Sequence, residues 1–268
     1  MNRIKIIEGF LKRYAEFARS VLKDHAGLKG RDEYSVYLFN FIERFYYATD
    51  AVLCLVPKLS DFHYKYPLAI LLRNILADHL TAMYFMSHLR YENDAEGSAI
   101  IIDDEFLEAT HRIDRTTFRI IKKLLEEEIT NGKITEEKRT EMMLNLQRHC
   151  PNQFETDSDG VLKFKKREEL KPGDIARYLR TSKYPEAAGA YEYYSYYSQF
   201  EHVSRLSKTI LYKNYETTDI PAFIATIRYL FGTTWLIIVN MRLNDSYVMG
   251  IMQLLEEFVT EFPPRNTP

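Results

Sequence analysis

The sequence predicts an all-α protein, a multi-helix bundle of about eight to nine helices with no sheet, and three observations predict it. Apolar residues recur at three-and-four spacing through most of the chain. No stretch of strict alternation is long enough to build a sheet. Prolines, glycines and capping residues interrupt the helical spacing at intervals that suit helix ends. A chain of 268 residues buries a core without staples, and 46% hydrophobic against 28% charged residues favours folding over disorder. One helical domain over residues 1–268 is expected, with residues 151–172 bridging two halves.

Taken in order, Ile4, Ile7, Phe10, Leu11, Tyr14, Phe17, Ala18 and Val21 form one apolar stripe and predict a helix over 3–24. Gly27 and Gly30 end it, and Asp32 can cap the next, over 33–56, where Pro57 marks the stop. A third helix, 67–90, opens on Pro67, a favourable first-turn residue. It is apolar around most of its circumference, which marks a central helix. A fourth is predicted over 98–130, ending before Asn131-Gly132, and a fifth over 135–149. Residues 151–172 read as a long loop with a small hairpin about Asp159-Gly160. Helices resume over 173–181, 185–213, 219–242 and 245–261, with Pro185 and Pro221 near two starts and Asp219 as a cap. The tail, 262–268, should fray.

Composition excludes several functions. With 36 Lys and Arg against 38 Asp and Glu, the net charge of -2 gives no general pull toward nucleic acid or an anionic membrane. Cys54 and Cys150 make no metal-type spacing and fit a reducing, cytoplasmic compartment. Glu8, Lys12 and Arg13 interrupt what a signal peptide would need. The greasiest run, Tyr229 to Met241, falls short of the ~20 apolar residues of a membrane span, so a buried helix is expected.

Three constellations carry possible chemistry. In Arg73-Asn74-Ile75-Leu76-Ala77-Asp78-His79, an Arg followed directly by a polar residue, then by four residues and a His, resembles the motif of HEPN domains. That resemblance implies RNA or nucleotide binding and metal-independent RNA cleavage, with Arg73 holding phosphate oxygens and His79 taking a ribose proton. On a continuous helix, however, residues six apart lie about 120° apart, so Arg73 and His79 face different directions. The bland alternative is a buried Arg73 paired with Glu43 or Asp78.

Tyr194, Ser198 and His202 recur every four residues and line one helix face. Together with Arg73 in its apolar helix, this resembles a family of bacterial all-helical domains of unknown function, over about residues 35–240. Where that family carries a Glu four residues after the Arg, this chain has Ala77, with Asp78 one place on. A polar pocket of Arg73, Tyr194, Ser198 and His202 is therefore one expectation, with Asn74, Asp78 and Glu43 near it and His202 as acid or base. The other is a non-catalytic helical interaction or ligand-binding protein whose buried polar residues are structural. Glu108-Ala-Thr-His111, with Glu105 a turn earlier, is half of a di-iron ligand set without a second copy, so neither metal nor cofactor is expected. Lys163, Lys165, Lys166 and Arg167 form a short basic cluster, but Glu168 and Glu169 follow at once.

Five of the 20 tyrosines are Tyr191, Tyr193, Tyr194, Tyr196 and Tyr197, which point around well over half of a helix. That predicts a segment central to the bundle or lying in a homodimer interface, with a partner for each buried hydroxyl.

Overall fold

The computed structural model describes residues 3–25, 33–58, 64–92, 99–100, 103–149, 151–165, 170–201 and 219–264. They are mostly helical: α1 (Arg3–Asp24), α2 (Glu33–Leu55), α3 (Lys65–Ser87), α4 (Asp104–Thr130), α5 (Glu136–His149), α6 (Pro172–Leu179), α7 (Ala190–Ser198), α8 (Ile220–Asn240) and α9 (Asp245–Glu261). The expected absence of any sheet does not hold. Two short antiparallel hairpins pair β1 (Tyr91–Glu92) with β2 (Ala99–Ile100), and β3 (Phe154–Thr156) with β4 (Leu162–Phe164). Strands of two or three residues lie below what alternation can signal in a sequence.

The chain divides into two compact units, Met1–Met83 with Ala176–Pro268, and Tyr84–Ile175. In the first, α1 packs on α2 and α9, while α8 packs on α2, α7 and α9. The stripe read from the sequence is the buried face of α1: Ile7, Leu11, Tyr14, Ala18 and Val21 are sealed. Tyr14 shows how an aromatic with a polar tip is accommodated there. Its ring stacks on Phe231 at 5.1 Å, and its hydroxyl meets the Thr234 hydroxyl at 2.8 Å, so burial raises its pKa without leaving the oxygen unpaired.

The apolar element α8 is longer than the run of greasy residues suggested. Its 21 residues, with a mean hydropathy of 1.7 over their most apolar window, are long and apolar enough to cross a membrane by length and composition. Most of that window is buried inside the first unit, including Phe223, Ile227, Leu230, Phe231 and Ile237. After α9 the chain does not fray at once. Phe262 is buried against Phe258, and its carbonyl accepts a hydrogen bond of 2.7 Å from Arg228 Nη2 on α8.

In the second unit, Asp103 caps α4 by accepting from the Phe106 backbone N–H at 2.9 Å, so the helix starts later than the predicted residue 98. Residues 154–164 close the small hairpin expected about Asp159-Gly160, and it lies over a small core of Phe118, Leu125, Met143 and Phe154. Its turn needs Gly160, whose φ is +76°, and Asp157, whose carboxylate accepts from the N–H groups of Asp159 and Val161. The longest predicted helix of the C-terminal half, 185–213, is broken. Residues Pro185–Gly189 and Gln199–Glu201 are 3-10 turns on either side of α7, and residues 202–213 lie outside those described.

Candidate functional site

α3 and α7 meet through the residues that pattern alone singled out. The Arg73 guanidinium carbon sits 5.5 Å from the centroid of the Tyr194 ring. Both side chains are half-buried, where a stacked guanidinium gains from the ring's negative face. On α7, Tyr194 also stacks on Tyr191 at 5.9 Å, and its carbonyl accepts the Ser198 hydroxyl at 2.8 Å. That bond commits the only Ser198 proton to the backbone, so the hydroxyl is not poised as a nucleophile. His202, the fourth member, lies outside the described residues.

The other residues of the Arg73 motif diverge. Asn74 is exposed, and Glu43 is half-buried on α2. Asp78 is engaged by Arg44, whose Nε and Nη2 donate to its two carboxylate oxygens at 2.9 and 2.8 Å. Burial pushes the Asp78 carboxyl up, and the Arg44 fork opposes that shift.

His79 is 3% exposed. Its Nδ1 is hydrogen-bonded to Thr233 Oγ1, its Nε2 faces the Ala187 carbonyl at 3.4 Å, and its ring packs on Tyr229 at 4.7 Å. Desolvation lowers its pKa to about 4, so the imidazole is neutral at pH 7. Thr233 Oγ1 also donates to the Tyr229 carbonyl at 2.6 Å, which makes Nδ1–H the donor to Thr233 whenever that second bond is kept. Such a histidine ties α3 to α8. It does not share a face with Arg73.

One further place collects chemistry in this unit. A small cleft, with about 30 Å³ of space for water-sized groups, opens between α3, α7 and the start of α8. Ile4, Leu68, Ala69, Leu72, Phe200, Ile220 and Phe223 give it apolar walls, and Tyr197, Lys65 and Asp219 complete the lining. Asp219 was expected as the cap of α8, but its side chain makes no capping bond. Instead its carboxylate accepts the Tyr196 hydroxyl and lies 3.6 Å from Lys65 Nζ. Desolvation raises the Asp219 carboxyl and, together with the facing carboxylate, the Tyr196 hydroxyl. Tyr197 is 4% exposed, and its hydroxyl lies beside Thr226 but outside good hydrogen-bond geometry.

The tyrosine-rich helix is thus less central than its composition predicted. Of its five tyrosines Tyr197 alone is buried, and the other four are half-buried. Tyr196, Tyr197 and Phe200 pack edge to face or tilted on one another at 5.3–6.4 Å, which uses aromatic surface within the helix and its following turn. Lys65 and Arg44 carried no signal in the sequence, because each is one charged residue at the edge of an ordinary helix. Among the described residues no three His, Cys, Asp or Glu side chains gather to hold a metal ion. Comparison with protein-family models, with curated proteins and with solved structures finds no match.

Proposed function

We propose that this chain is a non-catalytic, ligand-binding helical protein, and that its ligand seat is the cleft between α3, α7 and α8. The observation that carries this reading is the cleft itself. Its walls are apolar with a few polar groups at one place, which is the lining that small-molecule seats use. The polar residues that a catalytic reading would use are engaged elsewhere. His79 is sealed and bonded to Thr233, Asp78 is held by Arg44, and the Ser198 proton goes to a carbonyl. RNA cleavage by Arg73 with His79 would need a buried imidazole to reach a ribose hydroxyl, so the geometry lends that reading no support.

The test is saturation-transfer NMR on the full chain with a mixed set of small aromatic and aliphatic molecules. Hits should disappear in Ala69→Phe, which fills the cleft, and persist in the surface variant Tyr47→Ala, with helicity unchanged in both. Hits that survive Ala69→Phe, or an RNA-cleaving activity lost in Arg73→Ala, would overturn the proposal.

A further inference from the structure

Half of the large apolar side chains exposed among the described residues lie in one stretch of the second unit: Ile120, Leu124, Met142, Leu144 and Val161. Ile120 and Leu124, 52% and 53% exposed, are one turn apart on one face of α4. On α5, Met143 alone of the described residues is buried, with Met142 and Leu144 exposed on either side of it. A helix of 14 residues is marginal in water unless tertiary packing holds it, and one sealed side chain is little packing. We propose that α4 and α5 form an interface whose partner is a second copy of this chain. In it the face of Ile120 and Leu124 on α4 packs against the face of Leu144 on α5 of the other copy. This contact is independent of the cleft.

The charges beside these apolar residues point to self-association. Arg119, Lys123 and Glu127 recur every four residues along one edge of the α4 face, so that edge reads plus, plus, minus in chain direction. On α5, Glu137, Glu141 and Arg148 lie to one side of Leu144 and read minus, minus, plus. All six are exposed. Leu125 of α4 and Met143 of α5 share one small core across the turn at 131–135, so the two helices run in opposite directions. A two-fold axis perpendicular to both therefore sets α4 of one copy parallel to α5 of the other, and in that direction each edge meets its opposite in order. Within one chain Lys123 pairs with Glu127 at 3.6 Å and Lys138 with Glu141 at 2.7 Å. These exposed pairs are weak and compete little with contacts across an interface.

Sedimentation equilibrium of the full chain tests this over roughly 1–200 µM, where a modest interface dissociates. The parent chain should be a mixture of monomer and dimer, and Leu124→Glu and Leu144→Glu should each weaken the dimer by at least about thirtyfold. Met249→Glu, at an exposed apolar residue of the first unit, should leave it unchanged. Lys123→Glu and Glu141→Lys should each weaken the dimer by about tenfold, and the two reversals together should recover most of that loss. Far-ultraviolet circular dichroism checks that each variant keeps its helices. Ile120→Ala, which disturbs no buried residue, stands in for any charged variant that does not, and should weaken the dimer about fivefold. A chain that stays monomeric over the whole range would overturn the proposal. So would a dimer weakened equally by Met249→Glu, or one left intact by the changes at Leu124 and Leu144. Charge reversals whose losses simply add would overturn the pairing of α4 with α5.

Discussion

The guanidinium of Arg73 lies 5.5 Å above the ring of Tyr194, although the chain between them runs through the whole second unit. This contact joins the middle of α3 to α7, with Arg73 next to Leu72 and Tyr194 about one turn before Tyr197 in the cleft wall. A double-mutant cycle with Arg73→Met and Tyr194→Leu should give a coupling of about 0.5–1 kcal/mol in urea unfolding. Arg73→Lys should keep less than half of it, because an ammonium cannot lie flat on the ring.

The buried imidazole of His79 makes stability depend on pH. Its folded pKa, about 4, is below the ordinary 6.5, so between these values the unfolded chain takes up a proton that the folded chain does not. The stabilisation is complete above pH 6.5 and is lost progressively as pH falls toward 4. Its size is on the order of 3 kcal/mol. Urea midpoints measured from pH 7.5 to 4.5 should fall in the parent chain and flatten in His79→Gln, once the slope common to both is subtracted.

Removing the Thr233 hydroxyl tests the same tie from α8. Thr233→Val leaves a buried imidazole nitrogen without its partner and should cost about 1–3 kcal/mol. The loss should be much smaller when His79→Leu is already present. Equal losses in both backgrounds would show that the hydroxyl matters only for α8 itself.

Gly189 is a glycine because of Tyr229. A Cβ at that position would lie 2.8 Å from the Tyr229 hydroxyl, whose ring is held by His79 and Tyr193. Gly189→Ala should therefore destabilise the chain by about 1–3 kcal/mol, and Tyr229→Phe in the same molecule should restore most of it. Thermal unfolding of the four proteins reads this directly.

The hairpin of the second unit makes a separate demand. Gly160 has φ +76°, so Gly160→Ala should cost about 1 kcal/mol by strain alone, with open space around it. Hydrogen exchange should show faster opening of residues 154–164, while α1, α8 and α9 keep their protection.

What the sequence determined by itself is local. α9 occupies residues 245–261, as its spacing predicts, and α1 buries the stripe that its periodicity lays out. Those features follow from helix geometry and from apolar residues avoiding water, which act over a few turns of chain. The meeting of Arg73 with Tyr194 was also legible, because a cation inside an apolar helix and a face of hydroxyls each require a partner. Choice of partner was decided by the tertiary structure alone. Asp219 looked like a cap and became the acceptor of Tyr196, Asp78 went to Arg44, and His79 went to Thr233. A polar group withdrawn from water takes the partner that packing places within about 3 Å, and that depends on how helices distant in sequence come to lie side by side.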